Sequence, residues 1–190
     1  MKTTPEWVQD AIFYQIFPDR FANGDPANDP TNVQPWGAKP TDKGFQGGDL
    51  KGILDHFDYL LDLGVNALYL NPIFQATSNH RYNTSDYYLI DTKLGTESDF
   101  KSLLDRAHQS DVRVVLDGVF NHCGRGFFAF QDLLENERHS PYLEWFHVRR
   151  FPLDAYGDDE AENFEAWWEI KSLPEFNTDN SQVRQYIFDV

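Results

Sequence analysis

The chain has 190 residues, 41% hydrophobic and 16% aromatic, which is enough apolar material for a packed core and excludes a disordered polypeptide. Sixteen Lys and Arg stand against 31 Asp and Glu, a net charge of −15, so the sequence offers no basic footprint for nucleic acid and no attraction to an anionic membrane; a neutral ligand or a cation fits. The single cysteine, Cys123, excludes an internal disulfide, and neither a signal-peptide core nor an apolar run of the ~20 residues a membrane span needs is present, so a cytoplasmic protein is expected.

Taken in chain order, residues 11–17 (AIFYQIF) read as a first strand, ended by Pro18 and Asp19. A loop rich in Asn, Asp, Pro and Gly covers 21–45. Asp49 is placed to cap a helix in which Leu50, Ile53, Leu54, Phe57, Leu60 and Leu61 repeat at helical spacing, and Gly64 stops it. Residues 67–70 form a second strand closed by Asn71-Pro72. A polar loop over 75–85 leads into the aromatic segment Tyr87-Tyr88-Leu89-Ile90, with both tyrosines expected to pack into the core or against the segment that follows the third strand. Thr96, with Asp99 three residues on, opens a second helix whose buried face is Phe100, Leu103, Leu104 and Ala107. The apolar run 112–116 reads as a third, buried strand.

Strand, helix, strand, helix, strand predicts a parallel α/β sheet. Residues 120–179 break the alternation. They read as irregular, acidic (Asp158, Asp159, Glu160, Glu162, Glu165) and aromatic (Trp145, Phe146, Trp167, Trp168), and so long a connection reads as a small inserted domain. From Ser181 a helical pattern resumes, with Val183, Ile187 and Val190 on one face.

Three constellations could carry chemistry. Asp117-Gly118-Val119-Phe120-Asn121-His122 follows the third strand, and the carboxyl ends of parallel strands are where sites gather. An imidazole beside an amide suits sugar hydroxyls; the alternative is a locally bonded Asp117 and an ordinary core histidine. Asn23-Gly24-Asp25, Asn28-Asp29 and Gly47-Gly48-Asp49 could supply the six to eight oxygens of a calcium ion, or could be turn formers and a helix cap. Tyr82, in a polar strand-end loop, could present its ring to a sugar or pack. Zinc is not expected, since no second His or Cys stands at ligand spacing, and no nucleophile elbow, phosphate loop or dinucleotide fingerprint occurs.

Four segments in order, AIFYQIFPDRF (11–21), GGDLKGI (47–53), DGVFNH (117–122) and LPEFN (173–177), resemble the α-amylase family of glycoside hydrolases (family 13), most nearly its cyclomaltodextrinase, neopullulanase and maltogenic-amylase branch. The resemblance implies a partial TIM barrel of about three βα units over 1–119, an inserted domain over 120–179 and the next barrel helix from 180. It implies that Tyr82 stacks on the sugar at the cleavage point, His122 hydrogen-bonds it, and Asp117 holds the site; Asn121 is a calcium ligand in many amylases and less securely in this branch. It further implies that Asn23, Asp25, Asn28, Asp29, Gly47 and Asp49 bind structural calcium. The expected activity is retaining hydrolysis of α-1,4 bonds in maltodextrins, cyclomaltodextrins or pullulan, with an α-glucan as partner. A transglycosylase of the same fold and a non-catalytic carbohydrate- or calcium-binding relative are the alternatives. The branch's extra N-terminal dimerisation domain implies a dimer for a full-length relative. Asn83 stands where the branch often has aspartate. The family's nucleophile, acid and third carboxylate follow strands four, five and seven, which the chain is expected not to reach; Asp189 lies in a helix pattern, so no catalytic residue is assigned and the chain alone is expected to be inactive.

Overall fold

The computed structural model describes residues 3–157 and 159–190; Asp158, one of the acidic residues of the insert, lies outside them. The chain divides into two compact units, the first comprising residues 1–73 and 90–117, the second 74–89 and 118–190.

The first unit opens with a short helix α1 (Glu6–Gln9), strand β1 (Phe13–Ile16) and a one-turn helix α2 (Pro18–Phe21). After the long loop come helices α3 (Leu50–Asp55) and α4 (Phe57–Asp62), and then strand β2 (Ala67–Leu70). The periodicity suggested one helix here. It breaks at His56, whose backbone N–H and ring Nδ1 both reach the Gly52 carbonyl, at 3.3 and 3.0 Å, closing the first helix locally. Gly64, at φ +78°, then supplies the left-handed turn that leads into β2.

In the second unit, β3 (Phe74–Ala76) pairs with β4 (Thr84–Ile90), a strand pair where a plain loop was expected; the last residue of β4 belongs to the first unit. Strand alternation then splits the two tyrosines, burying Tyr87 in the core and leaving Tyr88 56% exposed, with its ring set edge-on to Tyr186 at a centroid distance of 5.5 Å. The first unit resumes with α5 (Glu97–Gln109) and β5 (Arg113–Leu116). The expected capping box is present: Thr96 Oγ1 accepts from Asp99 N while the Asp99 carboxylate accepts from Thr96 N.

Strands β1, β2 and β5 pair in parallel in that order, with Tyr14 level with Leu68 and Val114, and Ile16 level with Leu70 and Leu116. One sheet face, through Tyr14, Ile16, Leu68, Leu70 and Val114, packs on Leu50, Ile53, Phe57, Leu60, Leu103 and Ala107 of the helices. The opposite face carries Phe13, Gln15, Tyr69, Arg113 and Val115, and Phe13 is 44% exposed. Among the described residues β5 lies at one edge of the sheet, and Leu116 is 36% exposed where its apolar run predicts burial.

The remainder of the second unit is less irregular than its composition suggests. Helix α6 (Phe128–Asn136) buries Ala129, Phe130 and Leu133, and α7 (Ser181–Asp189) is capped by Asn180, whose Oδ1 accepts from Gln182 N and Val183 N. Between them run single-turn 3-10 helices and isolated antiparallel bridges, Phe146 with Phe176, Val148 with Phe164 and Ala166 with Pro174. Tyr87, Phe127, Phe130, Phe146, Phe164 and Phe176 form its core, an aromatic cluster rather than an aliphatic one. Among the described residues no helix is long and apolar enough to cross a membrane.

Candidate functional site

The Asn/Asp loop of the first unit is organised by two buried carboxylates. Asp19 accepts from Gln46 N and Gly47 N, at 3.1 and 3.4 Å, and pairs with Arg20. Asp49 caps α3 through Gly52 N at 2.6 Å and also accepts from Gly24 N, Asp25 N and the Asn28 amide, at 3.1, 2.8 and 3.1 Å. Four donors match the roughly four lone-pair positions of a carboxylate, so Asp49 is the acceptor around which residues 24–28 are wound. Asn23 donates to both oxygens of Asp29, at 2.9 and 3.1 Å. Two atoms here bear on a cation: Asn23 Oδ1 and Asn28 Oδ1 are buried acceptors with no hydrogen-bond partner. A buried amide oxygen without a donor is costly unless something positive satisfies it. Gly47 sits at φ +82°, and a Cβ there would strike Asp29 Oδ1 and Asn23 Nδ2. Asp19 belongs to no motif that singles it out; its only local signal is a carboxylate in the turn of helix that follows β1.

Asp117 lies just past β5, with its N–H donating to Leu70 O at 3.0 Å. Its carboxylate meets the phenol of Tyr69, whose pKa is raised by burial first and by the Asp117 charge and hydrogen bond second.

In the second unit, Tyr82 and His122 come together although 40 residues apart. His122 Nε2 lies 3.0 Å from the Tyr82 carbonyl. A carbonyl only accepts, so Nε2 carries the proton and Nδ1 keeps its lone pair, 3.4 Å from the Asn121 side-chain amide. Burial holds the His122 pKa below the usual histidine range, against a smaller upward effect of the Tyr82 carbonyl, so the ring is neutral near pH 7. His80 backs the tyrosine: the two rings stack with centroids 5.9 Å apart, and Tyr82 N donates to His80 Nδ1 at 3.1 Å. Burial, then the Arg81 charge, lowers the His80 pKa as well.

The signature loop is held from two sides. His122 bridges Glu175, Cys123 N donates to Pro174 O at 3.1 Å, and Phe176 N donates to Asn121 O at 2.9 Å. The segments DGVFNH and LPEFN, far apart in sequence, are thus neighbours along one ladder. From below, buried Tyr87 places its hydroxyl 2.7 Å from Val119 O and 2.9 Å from His122 O. Trp167 lies against His122, with ring centroids 5.5 Å apart. Tyr87 and Trp167 have no local sequence pattern that would assign them to this site. Among the described residues no three His, Cys, Asp or Glu side chains converge as a metal-ligand set, and Cys123 is buried with its thiol pKa pushed up.

Comparison with known proteins adds the family. The catalytic domain of α-amylase matches residues 15–190. The cyclomaltodextrinase of Geobacillus thermopakistaniensis is 48% identical over 187 residues, covering 98% of this chain and 31% of that protein. The intracellular maltogenic amylase of Bacillus subtilis (strain 168) is 46% identical over 187 residues, again 98% of this chain and 31% of the relative. Among solved structures, the cyclic α-maltosyl-(1→6)-maltose hydrolase of Arthrobacter globiformis, in complex with cyclic α-maltosyl-(1→6)-maltose, superposes with a TM-score of 0.94 at 49% identity, over 99% of this chain and 42% of that one. The chain therefore spans about a third of the length of the curated relatives it matches. With the match running through the strands, the Asn/Asp loop and the His122 ladder alike, the chain belongs to the α-amylase catalytic-domain family.

Proposed function

We propose that this chain is the N-terminal part of a (β/α)8-barrel glycoside hydrolase that cleaves α-1,4 bonds of maltodextrins or cyclomaltodextrins with retention. The observation that carries the reading is the joining of Tyr82 to His122 by a hydrogen bond, with His122 held neutral and braced by Trp167 and Tyr87. A neutral imidazole can meet a sugar hydroxyl without a charge to desolvate, and the tyrosine ring offers an apolar face to the pyranose C–H groups. A sugar hydroxyl replaces the long Asn121 contact at His122 Nδ1, while the proton on Nε2 stays with the Tyr82 carbonyl and fixes the ring. Asp117 holds the strand end through Tyr69. The sheet face of exposed Phe13 and Gln15 and half-buried Val115 is then the barrel interior, to be covered by further strands.

Retaining hydrolysis needs a carboxylate nucleophile and a carboxylic acid about 5 Å apart. In this reading both come from later barrel strands outside these residues, and the 190 residues bind and orient without cleaving. Calcium fits the Asn/Asp loop, on the strength of the two orphaned amide oxygens. Asn23 and Asn28 through their orphaned amide oxygens, with Asp25, Asp29 and the Gly47 carbonyl, would hold it, and the ion would supply positive charge that ties 23–29 to Gly47; Asp49, expected among the ligands, has its lone pairs taken by four N–H donors and shapes the loop instead. The intracellular relative supports placement inside the cell.

The test joins this chain to the part of a cyclomaltodextrinase that follows its matching segment and assays reducing-sugar release from maltoheptaose and β-cyclodextrin. The fusion should turn over, its His122→Ala form should lose most of its kcat/KM, and the 190-residue chain alone should release nothing. Turnover by the chain alone, or a folded and inactive fusion, refutes the proposal.

A further inference from the structure

The segment 166–173 of the second unit carries a feature that the binding of one sugar by Tyr82 and His122 does not use. Trp167 and Trp168 stack face to face, with centroids 5.0 Å apart and planes 9° from parallel. Trp167 lies against His122 on its other side, whereas Trp168 is 81% exposed, the most exposed large hydrophobic residue described. Exposure of an indole is unfavourable, and here the backbone is bent to produce it. Trp168 stands at φ 49° and ψ 36°, and Glu169 at φ 59°, two consecutive non-glycine residues in the left-handed region. Such conformations persist where the surroundings impose them, and they gather at ligand clamps.

The surroundings do impose it. Backbone bonds from Trp167 N to Leu173 O, Ala161 N to Glu169 O and Leu173 N to Ile170 O, at 3.0, 2.7 and 2.9 Å, fasten the segment on both sides. Lys171 is buried, and its ammonium is held by Asp154 and Asp159 at 2.6 and 2.8 Å. Beside the indole opens a cavity of about 270 Å³ lined by Trp168, Asp159, Glu160, Glu169, Lys171 and Ser172. An apolar ring face ringed by carboxylates and a hydroxyl is the chemistry that takes a pyranose: C–H groups on the indole, hydroxyls to the acceptors. The carboxylates disfavour an anion. The volume suits one sugar ring rather than a chain.

We propose that Trp168 and this cavity form a separate glucose-binding subsite, which holds a residue of an α-glucan chain outboard of the sugar at Tyr82 and His122. The inference rests on the α-glucan reading above and extends it. His122, Trp167 and Trp168 form a run of ring contacts, and His122 at its inner end is bonded to the Tyr82 carbonyl, so a chain held at Trp168 is led toward His122. Long maltodextrins gain from the subsite; maltose seated at the inner position does not reach it.

The experiment uses the 190-residue chain and follows its five indole N–H signals by NMR during titration with maltose and with maltoheptaose. Trp168→Gly is the informative variant, because glycine relieves the left-handed backbone and the fold survives loss of an exposed ring. Maltoheptaose should shift the Trp168 signal saturably, and Trp168→Gly should weaken its binding about three- to tenfold, as expected for one aromatic contact. Trp168→Phe should restore most of the loss, and the thermal midpoint of Trp168→Gly should match or exceed the parent's. Unchanged maltoheptaose affinity in Trp168→Gly overturns the subsite. So does a Trp168 signal that responds to protein concentration and not to glucan, which would make the indole a contact between copies. If Trp168→Gly weakens binding while the fusion enzyme of the preceding section is inactive, the subsite stands and the hydrolase reading falls. If the fusion is active and Trp168→Gly is silent, the reverse holds.

Discussion

Tyr87→Phe isolates the link between the second unit's core and its signature loop. The ring is 1% exposed and packs against Phe74, Phe120, Phe127, Phe176 and Tyr186 with centroids between 5.8 and 6.3 Å. Phenylalanine preserves all of that. What it removes is one hydroxyl whose single proton is shared by Val119 O and His122 O. Losing a buried hydrogen bond and stripping a donor from its acceptors costs about 2 kcal/mol. For a chain of this size that is about 4–8 °C in thermal midpoint. The same phenol adds a pH signature. Burial, the largest cause, pushes the Tyr87 pKa far above its ordinary value, and Tyr186 moves in the same direction. The folded value lies above the unfolded value of about 10, so the stabilisation is complete below about pH 10 and is lost as pH rises beyond it. Circular dichroism melts at neutral and alkaline pH should show the parent falling more steeply than Tyr87→Phe above pH ~10. A neutral-pH midpoint within about 1 °C of the parent would refute the clamp, since the arithmetic demands several times that.

Calcium at a hundredfold excess over its dissociation constant should stabilise the chain by about 2.7 kcal/mol, read as a rise in calorimetric midpoint that EDTA reverses. Gly47→Ala, with a Cβ aimed at Asn23 and Asp29, should lower stability and abolish that rise; a calcium-insensitive parent sinks the site. The His122 imidazole should titrate by NMR below the usual histidine value, because burial depresses it, and with His80 it should make stability decline as pH falls below ~6.5, where the unfolded state takes up protons first. A His122 midpoint at or above that value would show that burial does not govern the ring. Thr96→Ala removes one half of the capping box on α5 and should cost about 1 kcal/mol in urea unfolding, with an unchanged slope.

Much of this molecule is legible locally. Asp49 and Thr96 cap their helices because a short side-chain acceptor beside free N–H groups needs no help from elsewhere in the chain. The second strand was read to the residue at 67–70, because a central parallel strand is apolar throughout. The motifs in order were enough to place the chain in its family. Where the reading failed, contacts distant in sequence decided. Tyr87 and Tyr88 are chemically alike, and only the pairing of β4 with β3 sends one inward and the other out. The run at 112–116 has the composition of a buried strand, but burial is set by what packs against each sheet face, and among the described residues Leu116, level with buried Leu70, stays 36% exposed. The same holds for the site. Residue types could nominate Tyr82 and His122 separately, but the hydrogen bond between them, the ladder to Glu175 and the contact of Trp167 with His122 join residues 40 to 53 positions apart and exist only once the chain has folded back. Sequence fixes what each side chain can donate, accept or stack upon; which partner it meets is set by chain closure over distances no local pattern encodes.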